Sequence, residues 1–179
     1  MHKSCRYAAV ALLALPGVLY AHGPSRLKVE KEIEINAPAE KVWAAIRDFC
    51  SIDLWHPAVA ACESNGGNAK GATRVLTLDE PGSGKTIEEE MTAYDDATMT
   101  FKYKITRVDP AVLPVSSYAA AMTVVPDGEK SKLVWKAGFY RSFTQNDPPP
   151  EQDDNAALKA ITGFFDAGLP GIRQLVESK

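Results

Sequence analysis

The stretch Ile33–Val59, IEINAPAEKVWAAIRDFCSIDLWHPAV, decides how the rest of the chain can fold. It begins as the end of an apolar/polar alternation and breaks at Ala37-Pro38. Pro38 suits the first turn of a helix, where a missing N–H leaves no hydrogen bond unmade. Val42, Ala45, Ile46 and Phe49 then recur at helical spacing, with Glu40, Lys41, Arg47 and Asp48 off that stripe. A second short helix and a Trp55-His56-Pro57 corner complete the stretch. Trp43 and Trp55, its largest apolar groups, are expected to be anchored in a core.

Working upstream, Leu27–Asn36 alternates, with Val29, Ile33 and Ile35 against Lys28, Glu30, Glu32 and Glu34, the pattern of a strand with one wet face. Before it, His2, Lys3 and Arg6 precede an apolar run from Tyr7 to Tyr20, and no acidic residue stands before Glu30. The run is too short to span a bilayer with ease, and Ala21 is the small residue that signal cleavage requires. Residues 1–21 therefore read as a cleaved secretory signal, residues 22–26 as a lead-in and residues 27–179 as one domain. The mature product is expected in the periplasm or outside the cell, with no membrane insertion after cleavage. The full chain carries 20 basic and 23 acidic side chains. Without Lys3 and Arg6 the net charge becomes −5. No basic run survives, which excludes the electrostatic footprint of a nucleic-acid binder. Cys50 and Cys62 remain, a candidate disulfide in an oxidising compartment or two separate buried thiols.

Downstream, strands are expected at Ala58–Ser64, Thr73–Leu78, Thr86–Tyr94, Met99–Val108, Val115–Val125 and Leu133–Arg141. They are divided by Asn65-Gly66-Gly67-Asn68, Pro81-Gly82-Ser83-Gly84, Asp95-Asp96, Asp109-Pro110 and Pro126-Asp127-Gly128. Connections this short allow only antiparallel neighbours. A Pro-rich acidic loop, Asn146–Asp154, leads to a final helix with Leu158, Ile161, Phe165, Gly168, Ile172 and Leu175 at helical steps, in which Pro170 is expected to introduce a kink or brief break. The fold class is α+β: a seven-stranded antiparallel curved sheet, two short helices after the first strand and a long C-terminal helix across the sheet. Such a grip leaves room for a ligand cavity between helix and sheet.

Over about Leu27–Val176 this arrangement, with IEINAPAEKVWAAIRDF at its head, resembles the SRPBCC superfamily, the helix-grip fold of START domains, Bet v 1-type allergens and polyketide cyclases/dehydrases. More narrowly it resembles the secreted methanol-oxidation accessory proteins of the MxaD type. That likeness rests on Trp55-His56-Pro57-Ala58-Val59, Gly66-Gly67-Asn68, Arg74–Leu78, Leu113-Pro114-Val115, Trp135, Phe139-Tyr140-Arg141 and Asn146–Pro150. The resemblance implies a partner such as a periplasmic dehydrogenase or its cytochrome c. It implies no catalytic residue, because no catalytic motif defines the family.

The residues themselves offer little chemistry. Beyond residue 21 the only histidines are His22 and His56, so no metal site is expected. His22, as a free N-terminus, could chelate copper, but a plain polar end residue is the simpler reading. Gly82-Ser83-Gly84-Lys85-Thr86 imitates part of a phosphate loop, yet Asp79 stands where a glycine is needed and a strand follows instead of a helix. No cofactor is expected. His56 is the one candidate for acid–base work or ligand binding, against the alternative that it bonds a backbone group and holds the corner. Glu88 and Glu90 share one side of a strand, with Glu89 on the other; the three read as a solvated strand face, against the alternative of an inward carboxylate pair suited to acid–base work. Trp55, His56, Tyr103, Trp135, Phe139 and Phe165 are expected around the cavity. Three roles follow: a non-enzymatic periplasmic accessory protein, a carrier of a small apolar ligand, or a cyclase/dehydrase-type enzyme using His56.

Overall fold

A computed structural model describes residues 23–79 and 84–178 of the protein. Residues 1–21, expected to be a signal segment, His22 and most of the Pro81–Gly84 turn lie outside the described residues. Strand β1 (Leu27–Ile35) leads into helix α1 (Ala39–Ile46) and a single 3-10 turn (Ser51–Leu54). Six strands follow, β2 (Val59–Asn65), β3 (Thr73–Leu78), β4 (Thr86–Asp95), β5 (Thr100–Val108), β6 (Val115–Asp127) and β7 (Lys130–Arg141). A second 3-10 turn (Pro150–Gln152) precedes helix α2 (Asp154–Glu177).

All seven strands form one antiparallel sheet in the order β1-β7-β6-β5-β4-β3-β2. Consecutive strands pair from β2 to β7 as the short turns require, and β1 closes the far edge on β7. Alternation sets the two faces. On β5, Phe101 and Tyr103 are buried while Lys102 is exposed; on β7, Leu133, Trp135, Ala137 and Phe139 face the core. The seven-stranded helix-grip architecture is the one the sequence pattern implied.

Helix α2 lies on the buried face, tied to β1 by Lys31 and Asp166 at 2.9 Å. Asp153 caps it, accepting from the Ala156 N–H at 2.7 Å. Its buried stripe is Ala157, Ile161, Phe165, Gly168, Leu169, Ile172 and Val176. Leu158 and Leu175 sit half-buried at the edge of that stripe, so the buried face is rotated slightly from the expected one. The helix also runs through Pro170 without the brief break that was the alternative to a kink there. Pro170 is exposed, so the carbonyl its ring leaves unbonded is not forced into an apolar core. Strand β6 likewise passes the expected turn at Pro126, which pairs with Ser131 of β7. Strand β5 pairs no further than Thr123, so a residue without an N–H is tolerated on that open edge.

Candidate functional site

The Trp55–His56 corner is held from three sides. A disulfide joins Cys50 to Cys62, with Cα atoms 5.5 Å apart, and closes the chain around the corner. From above, α2 presents Gly168 and Gly171. A Cβ at Gly171 would stand 1.8 Å from the Trp55 carbonyl oxygen, and one at Gly168 would stand 2.5 Å from the His56 ring. Gly171 lets helix and corner meet backbone to backbone, and Gly168 makes room for the His56 and Trp55 rings. From below, the Trp135 ring packs edge-on to Trp55 at 5.8 Å.

His56 sits inside this clamp with 2% of its surface exposed, and together with Trp55 it forms part of the floor of an open cleft. Its Nδ1 lies 3.1 Å from the Ala58 N–H, which can only donate, so Nδ1 accepts. The proton is therefore on Nε2, which donates to the Phe164 carbonyl at 2.9 Å. The Phe164 ring stacks on the imidazole at 3.9 Å. Burial lowers the His56 pKa to about 4, against the opposing pull of the Phe164 carbonyl, and the nearby Arg74 charge lowers it further. The imidazole is neutral near pH 7 and both its nitrogens are occupied. That geometry serves a structural hinge better than a general base.

The expected cavity residues do come together, but as mutual packing partners. Trp135 and Phe165 stack face to face at 4.1 Å, which leaves no slot for a ligand between them. Trp135 donates from Nε1 to the Tyr103 hydroxyl at 2.9 Å, and Tyr118 packs between Tyr103 and Phe139 at 6.2 and 6.0 Å. Tyr103, Trp135, Phe139 and Phe165 are each at most 2% exposed. Burial pushes the Tyr103 hydroxyl's pKa well up, so it stays protonated. Among these aromatics one polar atom, the Trp55 Nε1, is buried with no partner.

Sequence reasoning missed a buried ion pair. Glu89, expected on a solvated face, is 5% exposed and accepts from Arg74 Nε at 2.6 Å. The cause is register: Ile87, Glu89 and Met91 all point inward, while Glu88 and Glu90 are half-exposed and pair with Arg107 and Lys104 on the outer side. Arg74 also donates from Nη1 to the Phe49 carbonyl and lies over the Phe49 ring at 4.1 Å. Burial pushes the Glu89 carboxyl up while Arg74 pulls it down. The alternation Ile-Glu-Glu-Glu-Met carried the signal, since Glu89 occupies the apolar register.

The chain around the Pro-rich loop is anchored at both ends, and the Ser142 hydroxyl also reaches Gln152 Oε1 at 3.3 Å. Arg141 donates to the carbonyls of Phe143 and Gln145 at 2.7 and 2.9 Å and reaches Asp154 at 3.3 Å.

Open space lies outside the grip. A cleft of about 670 Å³ runs between the corner and the C-terminal part of α2, lined among others by Leu54, Trp55, His56, Pro57, Pro170 and Leu175, so two of the expected cavity residues border open space. A second cleft of about 360 Å³ adjoins it across Asp53, Leu54 and Leu175. Among the described residues, no group of three or more His, Cys, Asp or Glu side chains could hold a metal ion. No described helix is long and apolar enough to cross a membrane.

A curved antiparallel sheet whose apolar inner face is closed by one long helix defines a helix-grip domain. The chain belongs to the family described as polyketide cyclase/dehydrase and lipid transport, whose model matches residues 26–177, and so to the SRPBCC superfamily. It is similar to MLP-like protein 423 of Arabidopsis thaliana, 29% identical over 127 residues, covering 66% of this chain and 79% of the relative. Among solved structures it is similar in fold to the protein XoxI from Bacillus cereus, at TM-score 0.68 and 23% identity over 84% of this chain and 95% of the other. It is also similar to the Zhui aromatase/cyclase from Streptomyces sp. R1128, at TM-score 0.70 and 19% identity over 86% and 94%.

Proposed function

We propose that the protein is an exported, non-enzymatic accessory protein that acts on a partner through its outer surface, as the methanol-oxidation accessory proteins it resembles are thought to do. The observation that carries this reading is the occupancy of the interior. His56 has no free nitrogen, and the Trp135–Phe165 stack leaves no gap between these rings of β7 and α2. The partner is a periplasmic dehydrogenase or the c-type cytochrome that takes its electrons.

The test is to add purified protein, starting at His22, to a periplasmic methanol dehydrogenase and its cytochrome c. The rate of cytochrome reduction should rise with protein concentration; an unchanged rate at saturating protein would sink the accessory reading. Export is checked first, by the intact mass of the secreted product. A species that retains residues 1–21 and partitions with membranes would overturn the localisation. The cyclase/dehydrase alternative is weakened by the same His56 geometry, and His56→Gln should leave the stimulation in place.

A further inference from the structure

The two clefts beside the corner share Asp53, Leu54 and Leu175, so they form one continuous groove along the C-terminal turns of α2. Leu54 projects from its centre, 69% exposed, the most exposed large apolar side chain among the described residues. Half-buried Leu175 and exposed Pro57 and Pro170 extend this apolar strip to either side. An exposed apolar strip with a polar rim is the composition of an interaction surface.

The charge around it has one sign. The charged side chains lining the two clefts are Asp48 and Asp53; among the described residues no lysine or arginine lines either. Neither aspartate belongs to an ion pair among the described residues; Asp48 accepts from the Cys50 N–H at 2.9 Å, a bond that leaves its charge in place. The last turn of α2, which ends at the groove, contains no basic residue to offset the negative end of its dipole. Among the described residues the groove therefore pairs exposed apolar side chains with two aspartates and no lining cation.

We propose that this groove docks a protein partner presenting an apolar patch rimmed by lysines. The proposal rests on the accessory reading and names the surface and the partner chemistry through which it works. A small neutral ligand would find no use for the paired aspartates. An acidic partner would be repelled by them. A lysine rim around an apolar patch satisfies both features at once, with the charges steering encounter and Leu54 anchoring the complex.

The probe is a lysine-rich c-type cytochrome, titrated at low ionic strength into isotope-labelled protein and followed by amide chemical shifts. Shifts should cluster at Asp48, Asp53, Leu54 and Leu175. Asp48→Asn with Asp53→Asn, which keeps the local hydrogen bonding, should weaken binding about tenfold, as should Leu54→Ser. Raising salt to about 0.15 M, where the screening length is about 8 Å, should weaken it similarly. The same cytochrome with acetylated lysines should not bind. Shifts confined to the outer sheet face or to residues 142–153, undiminished binding by the variants, or binding of the acetylated probe would each overturn the proposal. The cytochrome-reduction assay separates the two ideas. If the wild type accelerates reduction and the groove variants do so equally, the surface is wrong and the accessory reading stands. If the wild type has no effect, the accessory reading fails and this proposal with it.

Discussion

Glu89 and Arg74 bury two opposite charges at 2.6 Å, with side-chain exposures of 5% and 3%. Removing one partner of such a pair strands the other, which costs about 3–5 kcal/mol, whereas replacing both by apolar groups of similar size is often neutral. Glu89→Leu is thus expected to lose that amount in urea unfolding. Adding Arg74→Met should recover most of it. A single-variant loss below about 1 kcal/mol would mean that the pair is effectively solvated. His56 gives a second prediction, in pH. Its folded pKa of about 4 lies below the unfolded value of 6.5, so between them the unfolded chain binds more protons. The contribution is whole above pH 6.5 and is lost as pH falls to 4. At 1.36 kcal/mol per unit, that loss is about 3 kcal/mol. His56→Gln should lack this part of the slope; identical wild-type and variant pH profiles would show that the imidazole titrates freely.

At the scale of the element, α2 carries glycines of opposite meaning. At Gly171 a methyl group would meet the Trp55 carbonyl oxygen at 1.8 Å, while at exposed Gly163 nothing lies within 4 Å. Gly171→Ala should therefore force the helix off the corner, costing about 1–3 kcal/mol or more as overpacking does. Gly163→Ala should stabilise by about 0.4–1 kcal/mol through helix propensity and a less free unfolded chain. Thermal unfolding of the two variants decides it, and equal shifts of the same sign would contradict the close helix–corner contact. Both glycines stand at helix positions in the sequence, and nothing local tells them apart. Gly171 differs only because residues more than a hundred positions earlier reach it.

At the scale of the whole molecule the question is whether the grip encloses space. Tyr103 is 2% exposed and hydrogen-bonded to Trp135, so Tyr103→Ala should open a void and cost about 3–5 kcal/mol. Neither wild type nor variant should bind an environment-sensitive apolar dye in the native state. Dye bound by the wild type, with a small stability change in the variant, would instead favour a carrier of apolar ligands, the role that the family's lipid-transport description suggests.

The order of elements, the antiparallel meander and the helix laid across it were determined by the sequence alone. Alternation along strands such as Thr100–Val108, short polar turns and the spacing of Ile161, Phe165 and Ile172 are local properties, and they leave little topological choice. The corner at Trp55-His56-Pro57 was legible for the same reason. The interior was decided only by the tertiary structure. Whether Trp135 and Phe165 enclose a ligand or stack on each other depends on how rings from β7 and α2 share a small volume. That is a matter of side-chain packing across elements, which no periodicity records. Glu89 found a buried cation because β3 sets Arg74 beside it, and His56 lost its free nitrogens because α2 places the Phe164 carbonyl over it. The inward register of Glu89 was legible in the Ile-Glu-Glu-Glu-Met alternation, but the partner that each of these groups meets comes from another element, and residue type and spacing left that open.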